Sequence, residues 1–318
     1  MKAIRINEFG GTEVLKMQET AVPVPAPDEI LVKVYASGIN PVDCKIREGG
    51  NEVLRQFLKL PLTLGCDAAG VVEGVGSEVT NFEKGDEVFG CPNFPGDGSY
   101  AEFVASKANR FALKPKSISF NEAAAVPLTV LVAWEGLFEI GNLEEGQRVL
   151  IQGASGGVGS FAVQLAKAKG AYVIASASKG NLEYVKEIGA DEVIDYQKQN
   201  FEELLQNIDL VFDASPIRDD NDRLKSISVV KNGGMFVSVN VDYPFSDIVK
   251  EVLVQKNVKG GLVAGQHHEH LSEVANLIDE GKVKIHISKV YPLEEVADAH
   301  KESETWHVRG KLVLEVIK

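Results

Sequence analysis

The sequence has little cysteine: only Cys44, Cys66 and Cys91 occur among 318 residues. No two of them have the CxxC spacing of a redox or zinc motif, which argues against a disulfide-stapled fold and a four-cysteine zinc lobe. No secretory signal precedes them, because the first residues alternate like a strand instead of forming an apolar segment. We therefore expect a reducing, cytoplasmic location.

Long hydrophobic runs and excess positive charge are also lacking. No stretch reaches the roughly 18 uninterrupted apolar residues of a membrane span, so we expect no membrane partner. The chain has 33 Lys and Arg against 46 Asp and Glu, a formal net charge of −13, and such a surface repels nucleic-acid phosphates. The composition, 44% hydrophobic and 25% charged, is that of a globular protein whose length favours two domains.

The chain has two parts with different sequence patterns. Residues 1–120 are mostly β in pattern, with strand candidates at 29–36, 70–76 and 85–90. Three prolines in the segment 22–27 exclude a helix or a central strand there. From residue 121 onward, apolar strands alternate with helical stretches, which is typical of a parallel sheet covered on both faces. The strands that we predict there are residues 148–152, 172–177, 192–195, 209–214, 235–240 and 258–263.

The predicted fold class is therefore α/β, with a mostly-β part and a doubly wound, parallel, six-stranded nucleotide-binding sheet. After residue 265 the pattern indicates two helices, near 271–280 and 293–304, and a final strand at 311–316. Because the sheet already has its six strands, we expect this tail to return to the first domain.

A glycine-rich turn follows the first of these strands, in the run Gln-Gly-Ala-Ser-Gly-Gly-Val-Gly at 152–159. A helix begins directly after it, and in this strand–turn–helix context glycine lets the backbone approach a pyrophosphate. The N–H groups and positive dipole of the helix N-terminus favour an anion. We predict that Ser155, Gly156, Gly157 and Val158 bind the diphosphate of a dinucleotide, and that Gly159 packs the helix closely on the strand. The alternative is a structural turn with a capped helix.

The residues at the end of the second strand indicate which of the two pyridine dinucleotides binds. An NAD site usually carries Asp or Glu there to bind the ribose 2′-hydroxyl. Here Ala177 stands at that corner between Ser176 and the pair Ser178 and Lys179, and Tyr196 follows the third strand. Hydroxyls and an ammonium suit a 2′-phosphate, since charge-assisted bonds to phosphate are strong. The sequence therefore favours NADPH, with an ordinary solvated turn as the alternative.

With these motifs in view, the chain resembles the medium-chain dehydrogenase/reductase superfamily, in its zinc-free quinone oxidoreductase (zeta-crystallin-like) and enone reductase branch. The resemblance covers nearly the whole chain and depends on the order of the motifs. They are Ala-Ser-Gly-Ile-Asn-Pro-Val-Asp at 36–43, Gly-Cys-Asp-Ala-Ala-Gly-Val-Val at 65–72, Gly-Asp-Glu-Val at 85–88, Gly-Ser-Tyr-Ala-Glu-Phe at 98–103, Ala-Ala-Val-Pro-Leu at 124–128, the glycine turn, Leu-Ala-Lys at 165–167, Gly-Ala-Asp at 189–191 and His-Val-Arg-Gly-Lys at 307–311.

The resemblance implies a GroES-like catalytic domain formed by residues 1–120 and 266–318, with a Rossmann NADP(H)-binding domain at 121–265 inserted between them. It also implies an active site in the cleft between the domains. Members of this family are commonly dimers, so we expect a homodimer.

The same resemblance bears on a metal. Zinc-bearing relatives place Cys, then His-Glu, then Cys or Asp at three points, which match Asn40, the pair Cys66 and Asp67, and the apolar run 123–127 here. A catalytic zinc needs three protein ligands, so we expect none. The cluster His-His-Glu-His at 267–270 lies in or before the first turn of a helix, where we expect the side chains to diverge as a solvated cap.

Without a metal to polarise a carbonyl, the acceptor has to be electrophilic already, as quinones and α,β-unsaturated carbonyls are. Asn40, at the vacated ligand position, is our first candidate for a hydrogen-bond donor to the reduced oxygen or for orienting the nicotinamide ribose. Its alternative role is a satisfied turn amide. Thr129 is predicted to line the nicotinamide side. Arg309 is a candidate for contact with the cofactor phosphates or for a surface ion pair.

Two rival functions stay open. An enoyl-thioester reductase of the same superfamily would need a basic patch for coenzyme A phosphates, and this acidic chain shows no obvious one. A non-catalytic NADPH-binding protein would bind the cofactor without turning over any acceptor. A short-chain dehydrogenase is set aside, because none of the seven tyrosines has lysine four residues later.

Overall fold

The computed structural model describes residues 1–216, 219–263 and 267–317. The chain divides into two compact units, the first formed by Met1–Leu128, His268–Gly281 and Ile285–Lys318 and the second by Thr129–His267 and Lys282–Lys284. The boundaries expected from the sequence fall after residues 120 and 265. Within the described ranges, no helix is long and apolar enough to cross a membrane.

Short strands make up the N-terminal part of the first unit, as the sequence pattern predicted. They are β1 (Lys2–Ile6), β2 (Lys16–Glu19), β3 (Glu29–Ile39), β4 (Leu62–Thr63), β5 (Ala68–Val75), β6 (Glu87–Gly90), β7 (Phe103–Lys107) and β8 (Phe111–Leu113), and the helices are α1 (Pro41–Arg47), α2 (Glu52–Arg55) and α3 (Phe120–Ala124). The proline segment between β2 and β3 is in no helix or strand over residues 21–26, because proline cannot donate to a ladder.

Helices and strands alternate along the second unit. Helix α4 (Pro127–Trp134) starts with the last two residues of the N-terminal part of the first unit and continues into the second. The other elements of the second unit are a π-helical turn (Glu135–Ile140), β9 (Arg148–Gln152), α5 (Gly157–Ala168), β10 (Tyr172–Ala177), α6 (Leu182–Glu187), β11 (Glu192–Asp195), α7 (Phe201–Leu204), β12 (Ile208–Asp213), α8 (Asp220–Ser228), β13 (Val230–Ser238), α9 (Asp247–Gln255) and β14 (Lys259–Leu262). The strands predicted at 148–152, 172–177 and 192–195 are confirmed at both ends, and the other three are confirmed with shifted ends.

After β14 the chain returns to the first unit. This last part contains α10 (Leu271–Asp279), β15 (Ile287–Pro292), α11 (Val296–Ser303) and β16 (Lys311–Glu315). The helices predicted near 271–280 and 293–304 are confirmed. Strand β15 was not predicted, because Tyr291 is its one buried residue and the others show no alternation of buried and exposed positions.

The sheets of the first unit bring the two ends of the chain together. Three strands pair in the order β2-β1-β4, and seven form a second sheet in the order β15-β16-β3-β5-β6-β8, with β7 also on β3. Strand β16 runs antiparallel to β3 with Leu312 opposite Ile39, which confirms that the tail returns to the first domain. This register places the start of β16 beside the residue that follows β3, Asn40.

The second unit contains the predicted six-stranded sheet, in the order β11-β10-β9-β12-β13-β14 with every neighbouring pair parallel. Apolar side chains such as Leu150, Ile174, Val211 and Phe236 fill its core. The strand order reverses at β9, and sheets of this kind bind ligands outside the carboxyl ends of their strands at that point.

Candidate active site

The glycine turn after β9 has the close backbone approaches that a dinucleotide loop requires. Gly153 has a φ of +68°, and a Cβ there would lie 2.6 Å from the carbonyl oxygen of Ala214. A Cβ at Gly159 would lie 2.2 Å from the carbonyl oxygen of Gly153, so only glycine lets α5 pack this closely on the turn. A Cβ at Gly156 would lie 3.5 Å from its nearest atom, the carbonyl oxygen of Gly153, which is an ordinary contact.

The predicted diphosphate-binding residues lie together at the start of α5. Gly156 is the N-cap of this helix, Gly157 is its first residue, and Ser155 and Val158 flank them, all of them half-buried. The first N–H groups of a helix have no partner within the helix and attract an anion. The turn is therefore of the kind that can hold the diphosphate of a pyridine dinucleotide.

The adjacent strand ends form the corner at which a 2′-phosphate is expected. Ala177 and Ser176 are buried, whereas Ser178 is half-buried and Lys179 is exposed. The backbone N–H of Tyr196 donates to the carbonyl oxygen of Ala177 over 3.3 Å, so the Tyr196 backbone lies beside this corner, and the residue is half exposed. The accessible members of the predicted set are thus one hydroxyl, one ammonium and one phenol.

A polar cluster that the sequence reasoning missed lies at the ends of β12 and β13. The buried Asp213 carboxylate accepts bonds from the backbone N–H (3.0 Å) and the hydroxyl (2.5 Å) of Ser215 and from the hydroxyl of Ser238 (3.3 Å). Burial raises the pKa of Asp213. Asn240 Nδ2 donates to the carbonyl oxygen of Ser215 over 2.9 Å, which braces the loop beside the glycine turn. The polar run that follows a buried strand was the available signal.

In the first unit, the amide of Asn40 is fixed at both ends. Asn40 follows β3, is 2% exposed, and donates from Nδ2 to Asp67 Oδ2 over 2.8 Å. Its Oδ1 accepts a 2.5 Å bond from the Nζ of Lys311, a residue that is itself 4% exposed. The sequence pointed to Asn40 but not to Lys311, which is 271 residues away in the chain. The motif at 307–311 drew attention to Arg309 instead.

Asp67 connects this group to the helix that carries Thr129. Its Oδ1 accepts the backbone N–H of Leu128 over 2.7 Å, at the start of α4, and lies 3.6 Å from Cys91 Sγ. Its Oδ2 lies 3.3 Å from the Lys311 ammonium. Thr129, the next residue of α4, is 5% exposed. Asp67 therefore braces the N-terminus of α4, where a carboxylate also complements the helix dipole.

The residues at the first two of the three positions that the resemblance assigns to a catalytic zinc ion do not fit that ion, and the third position falls in the apolar run 123–127. The first position holds the Asn40 amide, whose oxygen is bonded to the Lys311 ammonium. The second holds Cys66, a buried free thiol whose pKa is raised by burial, and Asp67, whose oxygens are occupied by protein donors. Zinc binds thiolate, imidazole or carboxylate in sets of three, and an ammonium in contact with the carboxylate repels a cation.

The side chains of the cluster at 267–270 are arranged differently from the expectation. Ligand atoms of His267, Glu269 and His270 all lie within 4.8 Å of one another, so the prediction that these side chains diverge is wrong. The segment His268–His270 is a 3₁₀ turn, in which side chains three residues apart eclipse one another. That the chain holds no metal stays a prediction.

Arg309 lies near His286 in the first unit. The pKa of the His286 imidazole is lowered by partial burial and by the positive charge of Arg309. Whether Arg309 also contacts the cofactor phosphates stays a prediction.

A buried hydrogen-bonded chain supports Asn40 from the side of α1. Asp43 Oδ2 accepts the backbone N–H of Asn40 over 2.8 Å and the hydroxyl of Tyr100 over 3.1 Å. The Tyr100 oxygen lies 3.2 Å from Nε2 of His300, whose Nδ1 lies 3.2 Å from a guanidinium nitrogen of Arg47. Because Arg47 can only donate, Nδ1 accepts and Nε2 carries the proton. Burial raises the pKa of Asp43 to about 6, and burial with the nearby Arg47 charge lowers that of His300 to about 3.

Replacing Asp43 by Asn is expected to change how stability depends on pH. The folded-state pKa of Asp43 is raised, so its stabilising contribution is present below the ordinary carboxyl pKa of 3.8 and is lost as pH rises through about 6. Between pH 4 and pH 7, the free energy of unfolding of Asp43→Asn should therefore rise by about 2–3 kcal/mol relative to that of the wild type. Urea denaturation of both proteins across this range measures the difference.

Glu8→Gln, which removes an exposed carboxylate, is the control for a general charge effect. Its difference from the wild type should stay flat with pH. A flat difference for Asp43→Asn as well would show that Asp43 is not held protonated by burial.

The comparisons with known proteins agree with this architecture. A family model described as alcohol dehydrogenase GroES-like domain matches residues 26–116, and one described as zinc-binding dehydrogenase matches residues 188–314. The chain is 37% identical to the NADPH-dependent alkenal/one oxidoreductase, chloroplastic, of Arabidopsis thaliana, over 99% of this chain and 79% of the relative. It is 33% identical to the quinone oxidoreductase of Mus musculus, over 95% of this chain and 93% of the relative.

The fold comparison gives the same result. The solved structure of the quinone oxidoreductase from Coxiella burnetii superposes with a TM-score of 0.90 and 36% identity, over 100% of this chain and 99% of that one. A GroES-like unit and a doubly wound nucleotide-binding unit in one chain define an oxidoreductase of the medium-chain dehydrogenase/reductase class. The chain belongs to the quinone oxidoreductase and enone reductase branch of that superfamily.

Proposed function

We propose that this chain is an NADPH-dependent reductase of quinones or α,β-unsaturated carbonyl compounds that works without zinc. The observation that carries the proposal is the contact of the Lys311 ammonium with the Asn40 amide and the Asp67 carboxylate, two side chains at positions that the resemblance assigns to zinc ligands. Such a site offers hydrogen bonds and a fixed charge but no Lewis acid, so it suits an acceptor whose conjugation already spreads the incoming charge onto oxygen.

NADPH, rather than NADH, is supported by the corner after β10. Ala177 stands where an NAD site usually has a carboxylate, and Ser178, Lys179 and Tyr196 are the accessible polar groups beside it. A phosphate there meets donors and a positive charge instead of repulsion. The relative from Arabidopsis thaliana is named as NADPH-dependent, which agrees with this choice.

Bound NADPH supplies a hydride, the two-electron donor that the acceptor requires. The residues of this chain then have separate tasks. The turn Ser155, Gly156, Gly157 and Val158 holds the diphosphate at the N-terminus of α5, assisted by Arg309. Ser178, Lys179 and Tyr196 hold the 2′-phosphate beside the buried Ser176.

In the other unit, Asn40 donates a hydrogen bond to the oxygen on which negative charge develops. Thr129 lines the nicotinamide side at the start of α4. We assign no side chain as general acid, and water delivers the final proton.

Assembly and location complete the proposal. We propose a homodimer in a reducing, cytoplasmic environment, without nucleic-acid or membrane partners. The three cysteines are buried free thiols, which suits a reducing compartment. The Arabidopsis thaliana relative is named as chloroplastic, so location has to be tested for this chain itself.

The deciding experiment follows NADPH oxidation after dialysis of the protein against EDTA. We expect turnover with phenanthrenequinone or with methyl vinyl ketone, and none with cyclohexanone, because a saturated ketone needs a Lewis acid or a general acid and we assign neither to this site. NADPH binding without turnover of either conjugated acceptor would favour a binding protein. Faster turnover of crotonyl-coenzyme A would favour the enoyl-thioester reductase. Activity that is lost on dialysis and restored by zinc would overturn the metal-free proposal.

A further inference from the structure

The Lys311 ammonium is buried in the first unit beside the candidate reduction site. Lys311 begins β16, opposite the end of β3, and is 4% exposed. Its Nζ lies 2.5 Å from Asn40 Oδ1 and 3.3 Å from Asp67 Oδ2. Burying a charged lysine has a desolvation cost, which the contacts with Asn40 and Asp67 offset.

The two partners of Lys311 hold the Asn40 amide in one orientation. An ammonium group only donates, so it selects the amide oxygen, and a carboxylate only accepts, so Asp67 selects the amide nitrogen. A primary amide has two N–H groups, and the bond to Asp67 uses one of them. A cation on the amide oxygen draws electron density from the nitrogen and makes the second N–H a stronger donor.

We propose that Lys311 is a positioning residue of the reduction site, whose ammonium orients and polarises the Asn40 amide for donation to the reduced oxygen of the acceptor. The inference rests on the proposed function, because it assigns a task within that reaction. Lys311 thereby places an ammonium group against Asn40 and Asp67, two side chains at positions that the resemblance assigns to zinc ligands. As negative charge develops on the acceptor oxygen, both the polarised N–H and the nearby charge lower its energy.

A second buried lysine in the same unit shows the contrast. The Lys114 side chain is 5% exposed, like Lys311, and its ammonium pairs with Glu87 over 3.1 Å. Its other bonds go to the backbone carbonyl oxygens of Pro115 and Ile118, which close a local turn. Lys114 is therefore matched in burial and charge but bonded to no candidate site residue, which makes Lys114→Met the control variant.

The test compares acceptor kinetics in Lys311→Met, Lys311→Arg and Lys114→Met. For Lys311→Met we expect kcat to fall about 10- to 100-fold, somewhat less than for direct loss of an oxyanion donor. NADPH affinity should stay within about twofold, because the nucleotide turn is untouched. Lys311→Arg should recover part of kcat by restoring the cation, and Lys114→Met should keep kcat within about twofold.

A charge-neutral double variant covers the case in which Lys311→Met does not fold. Lys311→Met with Asp67→Asn removes both buried charges, so no unpaired ion is left inside. We expect it to fold, bind NADPH and remain slow. Wild-type kcat in a folded variant without Lys311, or an equal loss of kcat in Lys114→Met, would overturn the proposal.

A stability cycle separates this inference from the proposed function. The Tm shifts of Lys311→Met and Asn40→Ala should be non-additive, because each single variant already breaks the contact. Additive shifts would show that Lys311 does not hold Asn40, even in an active enzyme. Conversely, a wild type that reduces no acceptor removes the proposed function and the catalytic task of Lys311 with it, whatever the cycle shows about the contact.

Discussion

Gly159→Ala is expected to remove most of the NADPH affinity of the protein. The added Cβ would lie 2.2 Å from the carbonyl oxygen of Gly153, and both atoms belong to rigid backbone, so α5 has to move away from the turn. Loss of two bonds to the charged diphosphate, at about 1.5 kcal/mol each, raises Kd about 100-fold. The overpacking should also lower the free energy of unfolding by about 1–3 kcal/mol. Fluorescence titration with NADPH measures the first effect and urea denaturation the second.

Gly74→Ala is the matched control, because a Cβ there meets its nearest atom, Leu31 Cβ, at 3.9 Å. It lies on β5 of the first unit and is not part of the nucleotide turn, so it should leave Kd within about twofold. Wild-type NADPH affinity in a folded Gly159→Ala protein would mean that the start of α5 does not bind the diphosphate.

Lys179→Glu is expected to reverse the preference for the two dinucleotides. The exposed lysine begins a 3₁₀ turn directly after Ser178, at the corner assigned to the 2′-phosphate. Replacing the ammonium by a carboxylate removes one charge-assisted bond and adds repulsion, which should raise Kd for NADPH about 30-fold. Kd for NADH should change by no more than about twofold, since NADH has no phosphate at that position. Parallel titrations with the two nucleotides give the ratio directly.

Lys186→Glu makes the same change of net charge on the exposed side of α6 and serves as the control. Equal weakening of NADPH and NADH by Lys179→Glu would point to a general field effect. No weakening of either nucleotide would show that the corner is a solvated turn, the alternative that the sequence left open.

The second unit was predictable because its signals are local. A buried strand, a glycine turn and a helix follow one another at 148–168, and hydrophobic runs spaced by helical stretches predict a parallel sheet wherever they occur. The close backbone contact that requires glycine at position 159 is likewise local, since it is made with Gly153 in the same loop. By contrast, β15 escaped prediction because its side chains are mostly exposed and carry no periodic signal.

The group at Asn40 was only partly predictable. The order of motifs pointed to Asn40 and Asp67, but nothing local marked Lys311, because its partners are 271 and 244 residues away. The buried hydrogen-bonded chain from Asp43 through Tyr100 to His300 was not predictable for the same reason, since it joins three separate parts of the sequence. The prediction that the side chains at 267–270 diverge was wrong for a different reason, because the chain forms a 3₁₀ turn there and not the first turn of an α-helix.

The sequence by itself determined the family of the chain, its parallel nucleotide-binding sheet and the turn at 153–159. The sheet and the turn depend on local residue patterns, and the family depends on the order of short motifs along the chain. Tertiary structure alone decided which groups surround Asn40. The register of β16 on β3 brings a lysine from the end of the chain against an amide near its beginning. A sheet register is fixed by side chains packing across strands, and no stretch of sequence contains that information by itself.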